Sequence, residues 1–336
     1  MFLQSTTATE SRIQGITGLY ELNAPLQMEI RITDYCNLNC KYCYAKPFSG
    51  REMSFADFKE VVHQAKEMGV FLFYIAGGEP LLHPHFLDML DYIIRSDVSV
   101  HVLTNATRIT PKLASDIKTI LEHAISPVSI QVSLDSVNDR SNDAVRGLTQ
   151  ATKLGIAHLL AQGIQPTLAS VLTVNNIDSA EDIVAYFYPQ IRTFNFMPLL
   201  FTSEAIKNRK ALLGTHSYSQ YLELLKNAKE RLKRIEEKYK DVEMTILEDR
   251  DMFPGQPEVF NAGCSAGVLQ LTVMANLDVI TCAFAPNLTV GNIRTSSLRE
   301  IWKSIRLRAI RGGVYPCLIS NEEMGLGKRS AWDFPE

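Results

Sequence analysis

The chain has no surplus of positive charge: 34 lysines and arginines face 37 aspartates and glutamates, a net of −3 over 336 residues. That removes the electrostatic case for nucleic acid or an anionic membrane as a partner. Long apolar runs are missing as well. The longest, VFLFYIA at 70–76, is far below the ~20 residues that cross a bilayer as a helix. The opening stretch MFLQSTTATESRIQG has no basic region followed by an apolar segment and does not read as a secretory signal. Cysteine is scarce: six in the whole chain are too few for a disulfide scaffold, and their clustering favours metal in a reducing compartment. Repeats and low-complexity tracts are absent. The expectation is a cytoplasmic protein that engages neither membrane nor nucleic acid.

What is present is the composition of a folded globular protein, 46% hydrophobic and 21% charged, long enough for one large domain and a small one. Short runs rich in β-branched and aromatic residues, at 26–32, 70–76, 98–104, 128–134, 166–173 and 192–199, alternate with segments of helical period. The first helix starts at Ser54 as N-cap, has Asp57 three residues on and stops at Gly69, with Phe58, Val61, Val62 and Ala65 on one face. Further helical segments fall at about 86–95, 111–123, 147–162 and 179–188. Six βα units with right-handed crossovers predict an α/β fold, a parallel sheet curled into a partial (β/α)6 barrel of the TIM type. Residues 1–26 read as an N-terminal extension, 27–240 as the barrel with a charged, solvated helix at 216–239, and 241–336 as a small C-terminal α+β module.

The stretch RITDYCNLNCKYCYA, 31–45, places Cys36, Cys40 and Cys43 directly after the first strand. That is the C-terminal edge of the sheet, where parallel barrels carry their sites. Four thiolates would close a tetrahedral zinc site and two could form a redox pair, whereas three leave a coordination position open. The spacing C-x3-C-x2-C suits three irons of a cubane whose fourth iron stays free. It also allows a structural zinc with a distant fourth ligand. At the next strand end, YIAGGEP sets Gly77, Gly78, Glu79 and Pro80 in a tight turn beside the triad.

The triad with GGEP one βα unit later closely resembles the radical SAM superfamily over about residues 27–200. The resemblance implies a [4Fe–4S] cluster on Cys36, Cys40 and Cys43 whose open iron chelates the amino and carboxylate groups of S-adenosylmethionine (SAM). Gly77, Gly78, Glu79 and Pro80 would line the amino-group side, and Tyr42 would lie near the adenine. Later strand ends offer Asn105 in LTNA, Ser133 and Asp135 in VSLD, and Arg146 in DAVRG. A ribose presents hydroxyls and the methionyl group a carboxylate, which suit serine, asparagine and arginine. Taken singly, Asn105 and Asp135 also read as helix-approach caps and Arg146 as a surface ion pair.

Cys264, Cys282 and Cys317 form a second set, with seventeen residues between the first two across an expected β-hairpin at 263–284, followed by a turn and helix at 290–302. This resembles the SPASM or twitch module of radical SAM enzymes and implies one auxiliary [4Fe–4S] cluster held by three thiolates. Two departures stand out. Leu277 occupies the position five before the second cysteine where such modules usually have glycine, and Ser320 stands where the twitch form has a fourth cysteine. The plainer reading of all three is buried small hydrophobes. His83 and His85 read as helix-entry residues, and EDRDM at 248–252 as an exposed loop.

The resemblance implies an oxidoreductase-type enzyme that cleaves SAM to a 5′-deoxyadenosyl radical and takes hydrogen from a substrate C–H. Modification of a ribosomally made peptide, by crosslinking or epimerisation, is the expected use. Dehydrogenation or rearrangement of a small sugar-like or cofactor-precursor molecule is the second candidate, and a non-catalytic zinc-binding module is the rival of another class. A one-electron donor such as flavodoxin or ferredoxin is implied. The first 26 residues are too short for a fused leader-binding domain, so a peptide is expected to be recognised by a separate leader-recognition protein or by the barrel mouth.

Overall fold

The computed structural model describes residues 22–46, 49–200, 203–246, 266–267, 269–284 and 289–304. Six strands, β1 (Gln27–Thr33), β2 (Leu72–Gly77), β3 (Ser99–Thr104), β4 (Val128–Ser133), β5 (Thr167–Leu172) and β6 (Thr193–Pro198), pair in chain order and in parallel. The crossovers carry α1 (Phe55–Met68), α2 (Phe86–Ile94), α3 (Pro111–Leu121), α4 (Asp139–Asp143), α5 (Thr149–Ala161) and α6 (Glu181–Phe187). The first of these helices is bounded as its sequence predicts. The Ser54 hydroxyl accepts the Asp57 N–H, and Gly69 ends the helix at φ +97°, a left-handed conformation that favours glycine. Its Phe58, Val61, Val62 and Ala65 are fully buried on the sheet, and each of the three larger side chains contributes roughly 1.5–3 kcal/mol of burial.

Strand register sorts the residues into two faces. Ile30, Ile75, Val102 and Ile130 form one row across β1 to β4, buried under the helices. The alternate row on the same strands is Glu29, Tyr74, His101 and Ser129, all partly exposed on the concave side. A barrel lined with polar, half-exposed groups is a receptacle, unlike the apolar face it turns to the helices.

The sheet extends beyond the expected barrel at both edges. After α7 (Ser203–Lys207), α8 (Arg209–Leu213) and α9 (Tyr218–Lys238), the strand β7 (Glu243–Ile246) pairs in parallel with β6. The barrel sheet therefore runs past residue 240, where its end was expected; four residues are too few for periodicity to reveal. At the other edge β8 (Gln270–Val273) pairs in parallel with β1, and β9 (Asp278–Ile280) and β10 (Thr289–Asn292) follow antiparallel. The resulting ten-stranded order is β10-β9-β8-β1-β2-β3-β4-β5-β6-β7. The C-terminal module is thus continuous with the barrel sheet and covers the free edge of β1. The helix α10 (Leu298–Trp302), with a Ser297–Glu300 capping box, fastens it to α1. The Leu298 N–H donates to the Gln64 side chain at 2.7 Å, and Arg294 pairs with Asp57 at 3.1 Å.

The β8–β9 turn explains one departure seen in the sequence. Leu277 has φ +70°, in the region where a side chain is strained and glycine is not. Its side chain is 2% exposed, so the burial of leucine offsets the strain. Among the described residues no helix is long and apolar enough to cross a membrane.

Candidate active site

The triad loop leaves β1 and is held from several sides. The Lys41 N–H donates to the Val145 carbonyl (3.0 Å) and the Cys43 N–H to the Cys40 carbonyl (3.3 Å). Asn208 donates to the Lys41 carbonyl at 3.0 Å, and Lys46 to the Cys40 carbonyl at 3.1 Å. From the β3 side, Asn37 donates to Thr107 and accepts from Asn105. The glycine turn after β2 lies directly against this loop. Gly78 N–H donates to the Thr33 carbonyl and Glu79 N–H to the Tyr35 carbonyl, both at 2.7 Å. A Cβ on Gly78 would collide with the Tyr35 carbonyl oxygen, and one on Gly77 with that of Thr33. The two glycines are there because two backbones meet.

Glu79 is the junction of this corner. Its carboxylate is 1% exposed and accepts three hydrogen bonds: from the Leu81 N–H (3.1 Å), the Thr104 hydroxyl (2.6 Å) and the Asn105 N–H (2.7 Å). A carboxylate offers about four acceptor directions, so one is left. Burial pushes its pKa up to about 7 although all three neighbours favour the charged form. Pro80 opens the short 3-10 turn behind it.

A second cluster closes the opposite wall. Tyr42 donates its hydroxyl to Asp135, and Arg146 Nε donates to the Tyr42 oxygen at 3.0 Å and stands 3.5 Å from the Asp135 carboxylate. Asp135 also accepts the Val171 N–H at 3.0 Å. Arg146 is 10% exposed, and its two Nη groups have no hydrogen-bond partner among the described residues. Burial opposes its charge, but the Tyr42 hydroxyl and Asp135 hold it well above the ordinary range.

One cleft, about 640 Å³ out to its open mouth, is lined by Cys36, Cys40, Cys43, Tyr42, Gly77, Gly78, Glu79, Asn105, Ser133 and Arg146. Of the site residues expected from sequence on the barrel, only Pro80 and Asp135 stand behind its wall. The Asn105 side chain is engaged by Asn37 and Thr107, so in this structure it braces the triad loop. Ser133 presents a hydroxyl with no partner among the described residues. Burial raises the Cys36 thiol to about 12 and raises Cys40 as well, so metal uptake at neutral pH must release protons. Among the described residues no three His, Cys, Asp or Glu groups converge on a point that would hold one metal ion. The three thiols instead line one cavity, an arrangement that suits a group of several irons taking one thiolate each.

His83 binds the Met53 carbonyl at 2.9 Å and His85 stands at the start of α2, as helix-entry residues do. Cys282 is half-buried just after β9. Cys264, Cys317, Ser320 and the 248–252 loop lie outside the described residues. Sequence reasoning passed over Glu29 and Arg31, an ion pair at 2.8 Å beside the site in which Arg31 is buried and Glu29 half-buried. Two oppositely charged residues at i and i+2 of one strand were the available sign, since they share a face.

Residues 30–187 match the radical SAM superfamily model, and residues 264–318 match the SPASM model, an iron–sulfur cluster-binding domain. The mycofactocin maturase of Mycolicibacterium smegmatis is 33% identical over 172 residues, 49% of this chain but only 42% of that protein. The chain thus spans less than half of that relative. The PqqA peptide cyclase of Streptomyces rochei is 27% identical over 87% of this chain and 79% of its own length. The crystal structure of Streptococcus suis SuiB bound to its precursor peptide SuiA superposes with a TM-score of 0.72 at 17% identity, over 91% of this chain and 71% of that one. At that identity the likeness establishes the fold.

Proposed function

The chain carries a radical SAM domain joined to an iron–sulfur SPASM domain, and from that premise we propose that it is an oxidoreductase-type radical SAM enzyme that modifies a ribosomally synthesised peptide. The observation that carries the proposal is the cleft, where three thiols, the glycine turn and unpartnered polar groups meet. Cys36, Cys40 and Cys43 would hold a [4Fe–4S] cluster. Bound there together with SAM, such a cluster would supply one-electron reductive chemistry, giving a 5′-deoxyadenosyl radical able to take hydrogen from a substrate C–H.

The protein's own groups have distinct parts. The Arg146 Nη pair suits the methionyl carboxylate of SAM, since a buried guanidinium fork favours a bidentate anion. The remaining acceptor direction of Glu79 and the backbone of Gly77 and Gly78 suit its amino group. Ser133 suits a ribose hydroxyl, and Tyr42, fixed by Asp135 and Arg146, gives an aromatic wall for adenine. Pro80, behind the wall, shapes the turn, and Asn105, on the cleft, braces the triad loop. Cys264, Cys282 and Cys317 would hold one auxiliary [4Fe–4S] cluster.

A peptide substrate is favoured by the named activities of the mycofactocin and PqqA relatives and by the peptide complex of SuiB. The polar concave face of the barrel, with Tyr74, His101 and Ser129 partly exposed, leaves room for it. An electron donor of the flavodoxin or ferredoxin type, a separate leader-recognition protein and a cytoplasmic location complete the reading. The test is anaerobic reconstitution followed by dithionite, SAM and a candidate precursor peptide sought among the short open reading frames next to the gene. Formation of 5′-deoxyadenosine together with a mass change of the peptide is expected. A colourless zinc protein that leaves SAM intact would overturn the proposal.

A further inference from the structure

Arg31 sits on the concave face of β1 and is 2% exposed. Its Nε donates to Glu29 at 2.8 Å, and its Nη2 donates across the module boundary to the Ala283 carbonyl at 2.7 Å. Its guanidinium lies 5.0 Å from the centre of the Tyr44 ring, and that ring meets Phe284 edge-on at 4.7 Å. Tyr44 follows Cys43 directly, and Ala283 follows Cys282. One buried cation therefore touches the residue next to a thiol of the first set and the residue next to a thiol of the second.

The pair has a direction. Glu29 precedes Arg31 on the same face of the strand and the triad follows β1, so Arg31 is the nearer of the two to the triad along the chain, and Cys43 acts on its charge. Burial works against the guanidinium's charge, and Glu29, Tyr44 and Cys43 more than offset it. A fixed cation in low dielectric favours added negative charge nearby.

We propose that Arg31 is a positioning residue that couples the triad to Cys282: its charge makes reduction of a cluster held by either easier, and its bond to Ala283 with the Tyr44–Phe284 contact fixes the separation of the triad loop from Cys282. The inference rests on the proposed function, because it concerns groups that Cys36, Cys40 and Cys43 on one side and Cys282 on the other would hold. A clamp without electrostatic effect would hold the module in place and leave reduction potentials alone.

The experiment is a potentiometric titration followed by electron paramagnetic resonance on anaerobically reconstituted full-length protein. Arg31→Gln leaves Glu29 uncompensated and should lower the midpoint of the triad cluster. Glu29→Gln leaves the guanidinium uncompensated and should raise it. Arg31→Lys keeps the charge and should stay near wild type. Repeating the Arg31→Gln change in a protein with Cys36, Cys40 and Cys43 replaced by alanine isolates the auxiliary cluster, whose midpoint should also fall. Unchanged midpoints in Arg31→Gln and Glu29→Gln at wild-type iron content would overturn the proposal, as would an auxiliary cluster that ignores Arg31. Where Arg31→Gln does not fold, the upward shift in Glu29→Gln still decides. Wild-type protein that builds no triad cluster would refute the functional reading itself, before any substitution is made.

Discussion

Glu79 is a buried carboxylate with a pKa pushed up to about 7 by burial, despite three donated hydrogen bonds. Such a group costs the empty protein stability. Its pKa in the folded chain lies above its ordinary 4.5, so the stabilisation present below that value is lost as pH rises toward 7. A ligand that donates a hydrogen to the charged form recovers part of that cost, and the SAM amino group is the proposed donor. A hydrogen bond to a charged acceptor contributes about 1.5–3 kcal/mol, or about ten- to a hundredfold in affinity. That contribution requires the carboxylate, so it should be full above pH 8 and fade as pH falls through about 7. A thiolate-bound cluster adds negative charge nearby and moves the window upward.

The perturbation is Glu79→Gln, which keeps the shape and removes the titration. Protonation of the SAM amine at low pH weakens binding to both proteins, so the ratio of their dissociation constants isolates Glu79. Calorimetric titration of SAM into reconstituted protein between pH 6 and 9 should give a ratio of roughly ten to a hundred at the alkaline end, shrinking toward one at the acid end. A ratio that stays constant across this range would refute the reasoning, as would a glutamine variant that binds SAM like wild type at every pH.

Replacing Cys36, Cys40 and Cys43 together by alanine should abolish dithionite-dependent 5′-deoxyadenosine formation and reduce iron from roughly eight to four per chain, measured by chromatography and metal analysis. Gly78→Ala drives a methyl group into the Tyr35 carbonyl and displaces the triad loop; a loss of about 1–3 kcal/mol in denaturant unfolding, together with poorer iron uptake, is expected. Leu277→Gly relieves a strained φ of +70°, worth about 1–3 kcal/mol, but loses a buried side chain worth about 2–5 kcal/mol. Taking the central values, net destabilisation of about 1.5 kcal/mol should follow in the same assay.

Much of the barrel was legible because each crossover helix and strand carries its own periodicity and punctuation. Ser54 and Gly69 bound α1 as read, and strands predicted at 70–76 and 128–134 formed at Leu72–Gly77 and Val128–Ser133. The cleft was legible for a different reason. In a parallel sheet every strand points its C-terminal end the same way, so motifs at successive strand ends meet whatever lies between them. The side-chain tasks were harder to see. Asn105 lines the cleft but is engaged by Asn37 and Thr107, and Asp135 fixes Tyr42 from behind it. A residue type suited to a ligand is equally suited to a neighbour, and only the partner at hand separates the two.

β1 is where local reading fails, and the failure has a physical cause. Its seven residues are flanked by β2 on one side and β8 on the other, and the second partner lies some 240 residues away in the chain. Periodicity shows that Glu29 and Arg31 share a face but not that this face is closed by the turn at Ala283, 252 residues from Arg31. An exposed pair on an edge strand would contribute little. Burial under the C-terminal module makes the same pair consequential, because removing one partner leaves a charge stranded in low dielectric. The module therefore completes the wall beside the triad as well as carrying Cys282. Trimming the chain after residue 246 would expose the Glu29–Arg31 pair and free the edge of β1, so the barrel's cysteine loop and the C-terminal module are best regarded as one unit.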